Sequence, residues 1–76
     1  MIKVILSRAL GERRMSRSDL VKMTGINFHK VSEYYYDLAD RIDLDYLGRI
    51  CDALDCEVSD ILMRVDDAER PDRKKR

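Results

Sequence analysis

Apolar residues recur at helical spacing along most of the chain, and polar residues typical of helix ends separate the repeats. The first repeat, Leu6, Ala9 and Leu10, predicts a helix over about residues 6–14. Upstream of it, apolar and charged positions alternate over residues 2–4, which indicates a short extended segment.

Two capping signals and one glycine follow the first helix. Ser16 with Asp19 three residues later is typical of a helix N-terminus, because the hydroxyl accepts a hydrogen bond from a first-turn N–H and the carboxylate lies at the positive end of the helix dipole. A second helix should therefore begin at Arg17. Gly25 should end it, since a residue without a Cβ readily adopts the left-handed conformation. Asn27 can then cap a third helix.

The third helix, expected over about residues 28–37, carries an apolar stripe. Its members are Val31, Tyr34, Tyr35 and Leu38, which are spaced i, i+3, i+4 and i+7. We therefore expect Tyr34 and Tyr35 to face the core and Tyr36 to stand off it. A buried Tyr34 requires a hydrogen-bond partner for its hydroxyl or a path to solvent.

Two further helices are predicted in the second half of the chain. Asp43 can cap a fourth helix, whose apolar face comprises Leu44, Leu47, Ile50, Cys51 and Leu54. Gly48 lies inside this helix and indicates close packing against a neighbouring backbone. Ser59 can cap a short fifth helix, with Val58, Ile61, Leu62 and Val65 on its buried side. The predicted fold class is therefore all-α, a compact five-helix domain with a short extended segment at its N-terminus.

The length and composition fit one small globular domain. The chain has 76 residues, of which 45% are hydrophobic and 39% are charged. No apolar run approaches the roughly 20 residues that a membrane span requires, and the first residues lack the pattern of a signal peptide. We therefore expect a cytoplasmic protein with a folded domain over residues 1–66 and a charged, disordered tail over residues 67–76.

Residues that build enzyme and metal sites are scarce. Two cysteines five residues apart and a single histidine match neither a disulfide framework nor the paired spacing of a zinc site. Cys51 lies on an apolar helical stripe, so we interpret it as a small buried hydrophobic residue. Without a Ser/His/Asp set or a phosphate-binding glycine loop, we expect no enzyme, no metal and no cofactor.

Charge is sorted along a chain whose net charge is zero. Residues 1–36 carry seven Lys/Arg and three Asp/Glu, residues 37–69 carry three and eleven, and residues 70–76 carry five and one. A neutral chain sorted in this way can still present one basic face and one acidic face. A basic face suits nucleic acid, and an acidic face suits a basic protein partner.

A capped helix, a glycine turn and a second capped helix form the helix-turn-helix pattern, in which the second helix lies in the major groove of DNA. The segments SRSDLVKMTGINFHKV and RIDLDYLGRICDALDCEVSDIL resemble the lambda-repressor and Cro-like helix-turn-helix regulators, also called the XRE family. The resemblance covers about residues 2–65 and implies a lambda-repressor-like DNA-binding domain.

The resemblance also implies which side chains meet DNA. The residues placed toward the bases are Asn27, Phe28, His29, Ser32, Glu33 and Tyr36. The residues placed toward phosphates are Arg17, Ser18, Lys30 and Arg41. By their chemistry, Phe28 suits a thymine methyl group and Glu33 suits the N4 amine of cytosine. A purine edge suits either His29 or Asn27.

Several of these positions have a structural alternative. Phe28 can instead cover the core, and His29 can be a solvated surface residue. The three consecutive tyrosines fit core and rim positions better than a stacking platform for single-stranded nucleic acid. The carboxylates of Glu33, Asp37 and Asp40 lie on or just after the third helix, where they oppose the approach of phosphates.

Two functions fit these patterns. The first is a sequence-specific transcriptional regulator, such as a repressor, that binds double-stranded DNA as a homodimer with its third helix in the major groove. The second is a protein-interaction module of the same fold, an anti-repressor or accessory factor that binds a basic partner through the acidic residues 37–69.

Overall fold

The computed structural model describes residues 1–66, and the predicted charged tail over residues 67–76 lies outside them. Four α-helices, one 3-10 turn and two short strands make up the described part of the chain. In chain order they are β1 (Ile2–Val4), α1 (Leu6–Glu12), α2 (Arg17–Thr24), α3 (Phe28–Tyr35), α4 (Leu44–Leu54), the 3-10 turn (Val58–Asp60) and β2 (Leu62–Arg64). None of these helices has the length and apolar composition needed to cross a membrane.

The core is formed by side chains from every helix and from the segments around both strands. Its buried hydrophobic residues are Val4, Ile5, Leu6, Ala9, Leu10, Leu20, Ile26, Val31, Tyr34, Leu47, Ile50, Leu54, Ile61 and Val65. Helix α2 packs against α3 and α4, and α1 packs against α3. The buried side of α3 therefore packs against two other helices, α1 and α2.

Side-chain caps begin three helices where the sequence predicts them. Ser16, Asn27 and Asp43 have extended backbones, and their side chains accept hydrogen bonds from first-turn N–H groups of α2, α3 and α4. Gly25 ends α2 in the left-handed conformation, with a φ of 77°. The two capped helices and the glycine turn between them are therefore confirmed.

The predicted fifth helix is wrong. The chain forms only the 3-10 turn there, and β2 then pairs antiparallel with β1, with Val4 opposite Leu62. The Ile5 N–H extends this pairing by donating to the Ile61 carbonyl at 2.6 Å. Pairing satisfies backbone groups of both segments, whereas a helix would leave those of β1 without a strand partner. The fold is mostly helical with a two-stranded sheet rather than all-α, and the extended N-terminal segment is confirmed.

Two leucines assigned to the core by helical spacing are instead exposed. Leu38 and Leu44 expose 68% and 78% of their surface. Helix α3 ends at Tyr35, two residues before its predicted end, and Asp37 has a φ of 57°, so Leu38 leaves the helical stripe. Leu44 is the first residue of α4 and lies one turn ahead of Leu47, where that helix enters the core.

Three smaller predictions also differ from the structure. A Cβ added to Gly48 would meet no atom within 4 Å, so the predicted close packing at this glycine is absent. Val58 is exposed, and Ser59 lies inside the 3-10 turn, whose N-cap is Glu57. Helix α1 ends at Glu12, two residues earlier than predicted.

The three consecutive tyrosines at the end of α3 differ in burial. Tyr34 is fully buried, and its hydroxyl accepts a hydrogen bond from the Asp43 N–H at 3.4 Å. This partner meets the requirement of a buried tyrosine and ties α3 to the start of α4. Tyr35 is half-buried and packs against the core, and Tyr36 is exposed, as predicted.

Cys51 and Cys56 are free, half-buried thiols near the end of α4. Both pack against the core, so the interpretation of Cys51 as a small hydrophobic residue is supported, but Cys51 is half-buried rather than buried. Burial, together with the neighbouring Cys51 thiol, raises the pKa of the Cys56 thiol to about 11. Cys56 is therefore protonated at neutral pH and is a poor nucleophile.

Replacing Gly25 by alanine should lower the free energy of unfolding by about 1 kcal/mol, because an L residue is strained at a φ of 77°. The matched control is Gly48→Ala, which faces open space inside α4 and should raise the free energy of unfolding by roughly 0.5–1 kcal/mol through its higher helix propensity. Urea unfolding measures both changes. Effects of the same sign would contradict the left-handed turn.

Replacing Asp19 by asparagine should lower stability at neutral pH. The Ser16 backbone N–H, and then its hydroxyl, hydrogen-bond with this carboxylate and lower the pKa of Asp19. Because the pKa is lower in the folded than in the unfolded chain, the contribution is complete above the unfolded pKa and is lost as the pH falls through the folded pKa. The urea midpoints of Asp19→Asn and the wild type should differ at neutral pH and converge as the pH is taken below about 4.

The control for this experiment is Asp52→Asn, an exposed position in the last turn of α4 that caps no helix. It should not reproduce the loss of stability at neutral pH. A difference between Asp19→Asn and the wild type that persists unchanged into strong acid would show that the carboxylate charge does not stabilise the start of α2.

Candidate nucleic-acid interface

The turn between α2 and α3 is closed by hydrogen bonds on both sides. Thr24 Oγ1 donates to the Leu20 carbonyl at 2.8 Å and accepts from the Ile26 N–H at 3.2 Å. Asn27 Oδ1 accepts from the Lys30 N–H at 2.8 Å. Ile26 between them is buried. The direction in which α3 leaves α2 is therefore fixed by backbone geometry and side-chain bonds together.

Helix α3 has a buried side and an outer side. Val31 and Tyr34 are buried and set the rotation of the helix about its axis. The outer face of α3, as we call it, consists of Phe28, His29, Ser32, Glu33 and Tyr36. Phe28 and Tyr36 expose 48% and 54% of their surface, and the His29 side chain exposes 82%. Five of the six side chains predicted to face the bases thus share one surface, and Phe28 does not cover the core.

Glu33 lies between two basic side chains of its own helix. Its carboxylate is 3.2 Å from His29 Nε2 and 3.1 Å from Lys30 Nζ. The hydrogen bond from Lys30 to Glu33, and then the charge of Glu33, raise the pKa of Lys30. Lys30 therefore stays protonated, and the repulsion expected between Glu33 and phosphates is offset by an adjacent cation.

Arg17 is turned onto α3 rather than extended into solvent. Its guanidinium carbon is 4.9, 5.2 and 5.1 Å from the ring centres of Phe28, Tyr35 and Tyr36. Arg17 Nη1 also donates to Ser32 Oγ at 2.9 Å. We call these five residues the Arg17 cluster. The cation–π contacts and the hydrogen bond join the first residue of α2 to both ends of α3.

The other predicted contact residues lie around the ends of α3. Ser18 is exposed in the first turn of α2, and Arg41 is exposed in the connection from α3 to α4. Arg41 lines an open groove together with Lys30 and Glu33. The Oδ1 of Asn27 is occupied by its helix cap, so the side-chain amide N–H groups are the donors that Asn27 can offer to a base.

The carboxylate of Asp37 is directed toward β1. Its Oδ1 accepts a hydrogen bond from the Val4 N–H at 3.0 Å. Asp40 is exposed in the connection between α3 and α4. Of the carboxylates expected to oppose phosphate binding, Asp37 therefore has a structural role away from the outer face of α3.

Tyr35 is the residue that sequence reasoning missed, because the apolar stripe assigned it to the core alone. The signal that could have placed it in the Arg17 cluster is the spacing of the aromatic residues. Phe28, Tyr35 and Tyr36 are seven and eight residues apart, which puts their side chains on neighbouring parts of one helix surface. Nothing in the spacing shows that Arg17 turns toward them.

Within residues 1–66, no group of three or more His, Cys, Asp or Glu side chains is arranged to hold a metal ion. The polar groups of the candidate interface are hydrogen-bond donors, acceptors and cations on an open surface. Such groups suit an extended polar partner better than an enclosed small molecule.

Comparisons with known proteins also relate this chain to DNA-binding domains. The family of Cro/C1-type helix-turn-helix DNA-binding domains matches residues 5–67. No curated protein matches the chain. The fold is similar to the crystal structure of a "putative DNA-binding protein" from Bacteroides fragilis, with a TM-score of 0.73 at 16% identity, covering 83% of this chain and 100% of that chain. The chain belongs to the Cro/C1-type helix-turn-helix family of DNA-binding domains.

Proposed function

We propose that this protein is a sequence-specific transcriptional regulator that binds double-stranded DNA with α3 in the major groove. The observation that carries the proposal is the outer face of α3, a surface of exposed and half-buried hydrogen-bonding and aromatic side chains on a helix whose other side is packed in the core. An α-helix fits the major groove, where the edges of all four base pairs are distinguishable. Membership of the DNA-binding family supports this use of the helix.

Each polar or aromatic group of the interface has a proposed role. Phe28 contacts a thymine methyl group, His29 hydrogen-bonds a purine edge, and Glu33 accepts from a cytosine amine. Asn27 donates from its side-chain amide at the start of α3, and Ser32 and Tyr36 complete the base-facing set. The groups proposed for phosphates are the side chains of Arg17, Ser18, Lys30 and Arg41.

We further propose that the protein acts as a homodimer on a two-fold site. We place the contact between the two copies in the second half of the domain or in the terminal segments. Exposed apolar side chains occur in both places, Leu44 at the start of α4 and Ile2 and Met63 in the strands. A two-fold dimer would place two copies of α3 one helical turn apart along DNA.

The alternative function is a protein-interaction module that binds a basic partner through residues 37–69. Eight carboxylate residues from Asp40 to Asp66 are exposed. Several of them have structural partners, however. Asp43 caps α4, Asp45 pairs with Arg49 at 3.0 Å, and Asp60 accepts from the Glu57 N–H at 3.0 Å. Part of the acidic surface therefore consists of carboxylates that stabilise the fold. This structural role weakens the argument for a basic protein partner and favours the DNA function.

Selection from a random pool of DNA duplexes should enrich a two-fold sequence, and fluorescence anisotropy should then show tight binding that weakens with salt. Lys30→Gln should weaken binding to all duplexes and reduce the salt slope by about 0.9 for its lost phosphate contact. Glu33→Gln should instead relax discrimination at one base pair, by about 1–3 kcal/mol.

The control is Lys22→Gln, which removes the same charge from an exposed position in the last turn of α2, away from its first residue Arg17. Its affinity should stay close to that of the wild type. If the wild type binds no duplex at micromolar concentration and low salt, the DNA function is overturned. Binding of a basic peptide under the same conditions would then support the interaction module.

A further inference from the structure

We infer that Arg17 is a positioning residue for base recognition, which fixes the orientations of Phe28 and Tyr36 on the outer face of α3. The inference rests on the proposed DNA function and assigns Arg17 a role beyond phosphate contact. In this role Arg17 determines sequence preference through the two aromatic side chains.

The geometry of the Arg17 cluster places one planar cation among three rings. The rings belong to the first residue of α3, to its last residue and to its C-cap Tyr36, so side chains from both ends of the helix converge on one guanidinium. The ring centres of Tyr35 and Tyr36 are 5.0 Å apart with an angle of 76° between the planes, an edge-to-face contact. Ser32, midway along the helix, holds the guanidinium by a hydrogen bond.

Phe28 and Tyr36 need such a support because each exposes about half of its surface. An exposed aromatic side chain changes rotamer freely unless neighbouring groups restrict it. The Phe28 ring contacts the Arg17 guanidinium, and the Tyr36 ring contacts both Arg17 and the Tyr35 ring. Arg17 therefore supplies the restriction that turns two mobile rings into a fixed surface.

Charge pairing distinguishes Arg17 from four other basic residues of the domain. Arg8, Arg13, Lys30 and Arg49 each lie within 4 Å of a carboxylate. Within residues 1–66, Arg17 has aromatic rings and a hydroxyl as its partners and no carboxylate. A guanidinium serving only as a phosphate clamp at a helix start would not need three rings. The position of Arg17 is therefore better explained by the rings that it orders.

The test compares Arg17→Lys with Arg17→Gln and Ser32→Ala. Lysine keeps the charge but lacks the planar fork that stacks on the rings and bonds Ser32 at the same time. Glutamine removes the charge. Ser32→Ala removes the hydrogen bond to Arg17 and also the hydroxyl proposed to face the bases, so in this variant the cluster is followed by the ring signals of the free protein alone. It is the mildest perturbation of the cluster and controls for loss of folding in the other variants.

Two measurements are needed, one of them without DNA. Near-ultraviolet circular dichroism and ring proton shifts of the free protein report whether Tyr35, Tyr36 and Phe28 remain ordered. Anisotropy with the selected duplex and a scrambled duplex of equal length, each at two salt concentrations, gives the preference for sequence and the salt slope separately.

We expect Arg17→Lys to lose the ring signals and to reduce the preference for the selected duplex by about tenfold or more. Its affinity for the scrambled duplex and its salt slope should stay unchanged. Ser32→Ala should weaken the ring signals only partly, and Lys22→Gln should change neither the ring signals nor the preference. Arg17→Gln should lose the preference and also bind more weakly overall.

Three results would overturn the inference. Unchanged preference in Arg17→Lys, with Arg17→Gln weakening both duplexes equally and lowering the salt slope by about 0.9, would make Arg17 a phosphate clamp. Lost ring signals with unchanged preference would make the cluster a structural link between α2 and α3, while leaving the DNA function intact. Failure of the wild type to bind either duplex would overturn the DNA function itself and, with it, the role of Arg17 in recognition.

Discussion

The backbone reversal at Gly25 is the constraint on which the candidate interface depends. A left-handed residue there allows α2 to end and α3 to begin within three residues, and the side chains of Thr24 and Asn27 hold the turn from both sides. Burial of Val31 and Tyr34 then sets the rotation of α3. Direction and rotation together present the outer face of α3 to solvent, and neither alone would be sufficient.

The helix-turn-helix unit could be predicted from the sequence because local chemistry determines it. A capping residue acts on N–H groups two or three positions ahead, and a left-handed glycine acts on its own neighbours, so both signals fall within a few residues. The start of α2, its end and the start of α3 accordingly agree with the structure. The base-facing set was placed on α3 by the family resemblance, and in the structure Phe28, His29 and Tyr36 of that set are exposed while Ser32 and Glu33 are half-buried.

Features that depend on distant residues could not be predicted in this way. The residues of β2 have helical spacing, but β1 lies about sixty positions earlier and pairs with them. Leu38 fits the apolar stripe by spacing, but the chain turns before it at the left-handed Asp37, whose carboxylate accepts a hydrogen bond from the distant Val4 N–H. The direction of the Arg17 side chain is likewise a choice between solvent and the rings of another helix. In each case a partner outside the local window decides the outcome.

The hydrogen bond from Val4 N–H to Asp37 has a consequence for association between molecules. The outward N–H groups of an edge strand are a template on which another chain can add a strand, and uncontrolled addition leads to aggregation. A carboxylate bonded to one of these groups removes a donor and places negative charge beside the edge. One outward N–H of β1 is thereby unavailable for strand addition, and the carboxylate that occupies it comes from Asp37, the left-handed residue two positions after the end of α3.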